Sequence, residues 1–214
     1  YYFGSGKMFL QYANEMIDNN ILVKNEFYIA PMYNLMIRDG LKITAANTEK
    51  LHVLGTPHQF EFFCKRVITR FGDKPVALAS DHSGYALKED CKQILKALGI
   101  QYIDTGTFTD KACDYPDYVL QVTKLIESNE CSHGISFCRS GQGANITANK
   151  VKGIISALCF DEYTAEYSIK HNCANHFSIP SKYVDKDNLE AIIKKLLNTS
   201  FDGGRHFTRL FKLL

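Results

Sequence analysis

Chemistry in this chain would centre on Cys138, the last residue of an apolar run that empties into the loop Arg139-Ser140-Gly141-Gln142-Gly143-Ala144. Two glycines at that spacing let successive backbone N–H groups converge, and a helix opening there adds positive potential. The loop therefore reads as a cradle for an anion or for an oxygen that gains charge during a reaction. The same amides favour a thiolate over a thiol, so a cysteine at the rim is a candidate base or nucleophile. The spacing is neither the G-x-G-x-x-G of dinucleotide folds nor a P-loop with its Gly-Lys-Ser/Thr, and a plain tight turn is the alternative.

Four other groups carry reactive types. Ser80-Asp81-His82-Ser83-Gly84 follows an apolar run and precedes a helix, where ligands are met in α/β folds, although Asp81 or Ser83 acting as a helix cap explains the residues equally well. Asp114-Tyr115-Pro116-Asp117-Tyr118 is a turn into a helix, with Asp117 as the expected cap. His171-Asn172 closes a helix, a place where the dipole alone favours histidine. Gly203-Gly204-Arg205-His206 is followed by Arg209, and guanidinium groups at i and i+4 share one helical face. They can clamp a phosphate together or form a solvated basic end. The histidines and cysteines are scattered singly, without metal-ligand spacing, so neither metal nor cofactor is expected.

The elements that position these residues repeat from Val76 onward as apolar strand, polar turn and amphipathic helix. Strands are expected at 76–80, 100–104, 134–138, 154–160 and 175–179. Helices are expected at 86–98, 117–128, 143–151, 162–171 and 187–198. Strands that are unbroken apolar runs argue for a parallel sheet covered on both faces, with ligands at the carboxyl ends of its strands. The first seventy residues differ. A helical stretch at 7–19, an aromatic segment at 27–32, a turn at Arg38-Asp39-Gly40 and a helix at 58–68 behind Gly55-Thr56-Pro57 suggest a small α+β appendage. Phe71-Gly72-Asp73-Lys74-Pro75 marks the expected boundary, giving units 1–70 and 75–214.

Composition narrows the classes. With 214 residues the chain is one large domain or one domain with an appendage, and 45% hydrophobic with 22% charged residues suffices for a real core. Twenty-five Lys and Arg against 23 Asp and Glu leave +2. That balance argues against a phosphate-tracking nucleic-acid binder but leaves small anions open as ligands. The longest apolar runs fall far short of the ~20 residues that cross a bilayer, so no membrane partner is expected. Seven cysteines form no C-x-x-C pair or even framework, which points to a reducing cytoplasm.

Taken in order, Asp81-His82-Ser83-Gly84, Asp114-Tyr115-Pro116, Cys138-Arg-Ser-Gly-Gln-Gly with Ala148-Asn149-Lys150, His171-Asn172 with Asn175, and Gly203-Gly204-Arg205-His206 with Arg209 resemble the ribose-5-phosphate isomerase B family, which includes the galactose-6-phosphate isomerase subunits. The resemblance covers about residues 75 to 212. It implies a Rossmann-like five-stranded parallel sheet, a homodimer or homotetramer with shared active sites, and metal-free interconversion of aldose and ketose phosphates, most simply ribose 5-phosphate and ribulose 5-phosphate. By position Cys138 matches the base. The amides from Ser140 to Ala144 would hold the enediolate oxygen. His171, Asp81 and Ser140, where the family usually has Thr, would assist ring opening. Asn172 would hold a hydroxyl, Arg205, Arg209 and His82 the phosphate, and Tyr115 belongs to the substrate pocket. Four positions depart from the pattern. Arg139 replaces a glycine and strains the loop if that position needs positive φ, the equal alternatives being that it adds a cation beside the thiolate or alters the sugar accepted. Cys173 replaces an aspartate, and Pro180 and Lys182 stand where Gly and Arg are common.

Residues 1 to 66 separately resemble the C-terminal tail of sugar-phosphate nucleotidyltransferases, through Asn25-Glu26-Phe27-Tyr28-Ile29-Ala30-Pro31, the stretch Tyr33 to Gly40 and Leu54-Gly55-Thr56-Pro57. A chain opening at Tyr1 with such a tail is expected to be part of a longer fusion of transferase and isomerase.

Overall fold

The computed structural model describes residues 1–46 and 56–213. The chain forms two compact units, Tyr1–Glu49 and Lys50–Leu214.

In the first unit, helices α1 (Gly6–Asp18) and α2 (Met32–Arg38) bury Tyr12, Met16, Met32 and Met36 against one another. Ser5 starts α1 because its hydroxyl accepts the Met8 amide at 3.1 Å. Tyr12 donates to Asp39 at 3.0 Å, and Arg38 pairs with Glu15 at 2.7 Å. The strand content of the expected α+β appendage reduces, among the described residues, to one antiparallel bridge between Val23 and Glu26. Phe27, Tyr28 and Ile29 stay exposed.

The second unit opens with α3 (Pro57–Phe62), capped by reciprocal bonds between Thr56 and Gln59 and continued by a π turn over Phe63–Val67. Gly55 lies outside the described residues. The boundary expected at 71–75 moves upstream, because this segment packs on later residues of the chain. The Phe62 ring meets Phe207 edge-on at 5.8 Å, and the Cys173 thiol donates to the Arg66 carbonyl at 3.6 Å.

Five strands, β1 (Val76–Ser80), β2 (Tyr102–Asp104), β3 (His133–Cys138), β4 (Ser156–Leu158) and β5 (His176–Pro180), form an all-parallel sheet in the order β2-β1-β3-β5-β4. β1, β3 and β5 are buried along their whole length, as apolar runs require. One face packs Leu78, Ile135, Phe177 and Ile179 against α4 (Tyr85–Ala97) and α8 (Lys186–Asn198). The other sets Ala77 and Ala79 against α5 (Tyr115–Glu127), and α6 (Gln142–Asn149) joins that side. α7 (Glu162–Lys170) leads into β5, and α9 (Arg205–Leu210) follows α8.

Several boundaries shift for local reasons. β4 is shorter than 154–160 because the Ile154 amide bonds Val151 and the Ile155 amide bonds the Asn175 side chain. α5 starts at Tyr115 with Asp114 as its flanking extended residue. Asp117 therefore lies in the first turn and is not the cap, though its charge still complements the dipole there.

One buried polar group crosses the sheet. His176 is fully buried between the hydroxyls of Ser136, 2.8 Å from Nε2, and Ser156, 2.7 Å from Nδ1. Burial pushes its pKa down to about 3. A histidine held neutral in the fold takes up a proton on unfolding at any pH between that value and its ordinary 6.5. Its contribution is thus complete above pH 6.5 and is lost as pH falls toward 3, by up to about 1.4 kcal/mol per pH unit. Urea melts between pH 7 and 4.5 are expected to show this slope together with that of buried His133, and His176→Gln is expected to reduce it by about half.

Candidate active site

The sheet order reverses at β1 and β3, and Asp81 and Cys138 sit side by side where those strands end. Such a reversal opens a crevice at the carboxyl edge. The Asp81 amide bonds the Phe137 carbonyl at 3.1 Å, which ties the two strand ends together. Asp81 Oδ1 accepts the Ser83 hydroxyl at 2.6 Å and the Gly84 amide at 2.9 Å, so its carboxylate braces the turn into α4. His82, exposed beside it, meets the Cys113 backbone through Nδ1 at 3.3 Å.

Cys138 ends β3 and is only 4% exposed, in a cluster with Val119, Ala144, Ala148 and Ile154. Its carbonyl accepts the Gly141 amide at 3.3 Å and the Ser181 amide at 3.0 Å, which closes the loop. Gly141 takes φ of 73°, the left-handed region that favours glycine, and a Cβ there would crowd Leu158 Cδ1. Ser178 Oγ holds the Gly141 carbonyl at 2.6 Å. With the Gly141 amide turned to Cys138 and the Gln142 amide 3.4 Å from Ser140 Oγ, these two leave the expected cradle, while Gly143 and Ala144 stay in it. Their amides lie in the first turn of α6, where no intrahelical acceptor exists. Tyr115 lies across Gly143, close enough that a Cβ there would meet its ring at 2.5 Å. An open concavity of about 450 Å³ beside the loop is lined by Ser140, Gln142, Leu158, Phe160, Pro180 and Tyr183.

Arg139 is exposed and does not adopt positive φ, so the expected strain is absent. The left-handed conformation falls instead on Cys173, at φ of 48°.

The remaining candidates gather elsewhere. His171 follows α7 and stacks on His206 of α9, with ring centroids 4.0 Å apart and planes 12° apart. Tyr167 meets His171 edge-on at 4.6 Å, and Asn172 bonds the Tyr167 carbonyl at 3.4 Å. Arg205 and Arg209 are exposed on α9, and Arg205 Nε approaches His206 Nε2 at 3.5 Å. Burial first, then the charges of His171, Arg205 and Arg209, push His206 below its ordinary pKa. His206 belongs to a motif read in the sequence, but its partnership with His171 was not legible there. The fold also brings Asp202 to this pair, with one ligand atom from each of the three within 4.8 Å of the others, a cluster the scattered sequence positions did not announce. The two guanidinium groups beside it oppose a cation.

Cys138 ends β3, whereas His171 precedes β5, and in the parallel register Gly134 faces His176 while Cys138 faces Pro180. The two clusters therefore lie at opposite ends of the sheet, separated by roughly 13 Å of strand alone. Within one protomer they cannot touch the same small molecule.

Comparison with known proteins adds the following. Residues 76–213 match the family model described as Ribose/Galactose Isomerase. Ribose-5-phosphate isomerase B of Escherichia coli is 34% identical over 137 residues, 64% of this chain and 92% of that protein. The solved ribose 5-phosphate isomerase of Thermotoga maritima is 39% identical with a TM-score of 0.65, covering 66% of this chain and 97% of that one. The type B enzyme of Trypanosoma brucei is 36% identical with a TM-score of 0.63, covering 65% and 96%.

Proposed function

Because the chain belongs to the ribose/galactose isomerase family, we propose that it interconverts ribose 5-phosphate and ribulose 5-phosphate through a cis-enediol. The observation that carries this reading is Cys138 at the carboxyl end of β3, where the strand order reverses, packed with Ala144 of the first turn of α6. The Cys138 thiolate takes the proton from C2 of the open-chain aldose. The electron pair moves through C1 to the carbonyl oxygen, which the Gly143 and Ala144 amides stabilise as its charge develops. Return of the proton to C1, with transfer between the O2 and O1 hydroxyls, completes the ketose. His171, Ser140 and Asp81 serve ring opening, Asn172 holds a hydroxyl, and Arg205, Arg209 and His82 hold the phosphate.

Since the two clusters lie at opposite ends of the sheet, the site is completed by a second copy, in a homodimer or a tetramer of such pairs. Its Cys138 end meets the partner's His171 end. Exposed Ile146, Phe160 and Tyr183 near the loop supply apolar surface for that contact. The compact unit 1–49 lies outside the family match.

Incubation of the chain with ribose 5-phosphate in deuterated water tests the proposal. Ribulose 5-phosphate is expected to form while deuterium enters at the carbon next to the carbonyl, faster than with four- or six-carbon sugar phosphates. Calorimetric binding of the sugar phosphate with neither product nor exchange would mark a non-catalytic binding module instead.

A further inference from the structure

At the amino end of the sheet, away from the Cys138 loop, a cavity of about 20 Å³ opens between Arg66, Thr69, Arg70, His133, Cys173 and Thr199. Two buried polar atoms on its wall, Arg66 Nη1 and His133 Nδ1, have no hydrogen-bond partner among the described residues. His133 is only 6% exposed, and its ring is fixed by stacking on Phe177 at 5.8 Å and by Phe71 at 5.5 Å. The His133 orphan cannot easily turn toward water.

The charge on this wall is uncompensated. Arg66 is depressed by burial to about 10 and stays cationic at neutral pH. Among the described residues no Asp or Glu lines the cavity. The Cys173 thiol beside it is pushed up to about 12 by burial, so it supplies no negative charge. A guanidinium whose Nη1 is buried without a partner is costly, and an anion offsets that cost more fully than a neutral water does. The space is small, about 20 Å³, which suits a monatomic anion.

We propose that this cavity is a binding site for a monatomic anion such as chloride, held by the Arg66 guanidinium and by an Nδ1–H of neutral His133. The site joins segment 56–70, which precedes the family match, to β3 and to the turn after α7. Cys173 lines it directly after His171-Asn172, so the bound anion steadies the turn that carries those two residues.

Thermal unfolding of the full chain in sodium chloride and in sodium gluconate, at equal ionic strength, tests the site. Chloride is expected to raise the melting temperature of the second unit by a few degrees and to saturate, as a ligand of the folded state does, while gluconate is not. Arg66→Met is expected to lose the chloride-specific rise. In gluconate it should melt no lower than the unmodified chain, because an apolar side chain of similar length replaces an unpaired charge. Crystals soaked in bromide are expected to show an anomalous peak within hydrogen-bonding distance of Arg66 Nη1 and His133 Nδ1. Equal melting in the two salts, or bromide crystals with no peak there, would overturn the proposal. The salt and bromide measurements decide even if Arg66→Met fails to fold, and none of these readouts needs isomerase turnover.

Discussion

Cys138→Ala is expected to lower turnover of ribose 5-phosphate by about 10²- to 10⁴-fold, the usual span for removing a general base. The sugar phosphate should still bind, since the guanidinium groups assigned to the phosphate lie on α9. Exchange of the C2 proton with solvent should fall in step with turnover, because both need the same abstraction. Cys138 is nearly buried beside Ala144 and Ala148, so the variant also leaves a small void and costs some stability. An unchanged circular dichroism spectrum at the assay temperature separates that cost from the chemistry. Full turnover in a folded Cys138→Ala protein would remove the thiol from the mechanism.

The second large effect comes from mixing two inactive proteins. If each site joins the Cys138 end of one copy to the His171 end of another, Cys138→Ala and His171→Ala spoil different halves. A mixed dimer then carries one doubly damaged site and one intact site. Random reassortment, by co-expression or joint refolding, makes about half of the dimers mixed, so the mixture should regain about a quarter of normal activity. Each variant alone stays near zero. Failure to regain activity with demonstrated subunit exchange would mean that sites are complete within one copy, which the opposite placement of the clusters on the sheet argues against.

Much of this architecture is legible in the residues. Val76-Ala-Leu-Ala-Ser80 is an apolar run with no polar alternation and becomes a strand buried throughout. The glycine pattern after Cys138 reads as a strand-to-helix loop, and Gly141 takes the left-handed conformation there. The division of the site into two ends had a signal that motif order alone hides. In a parallel sheet, a residue that ends one strand and a residue that precedes another lie at opposite edges, and Cys138 and His171 are such a pair. Other features were not legible because they depend on contacts between distant residues. The stacking of His206 on His171, the approach of Asp202 and the withdrawal of the Gly141 amide from the cradle are of this kind. Arg139 was expected to bear strain as a replacement for glycine, yet its backbone is ordinary, and Cys173 takes the unusual φ in contact with Arg66. The same long-range packing moved the unit boundary from 71–75 to 49–50.

That packing has a practical corollary for anyone trimming the protein. Excision at Val76, where the family match begins, would remove the ring of Phe62 from its seat on Phe207 and Phe211. Bared aromatic surface of that sort promotes clumping and loss of material on concentration. The sensible place to cut is therefore ahead of Thr56, so that the plug formed by α3 travels with the catalytic unit.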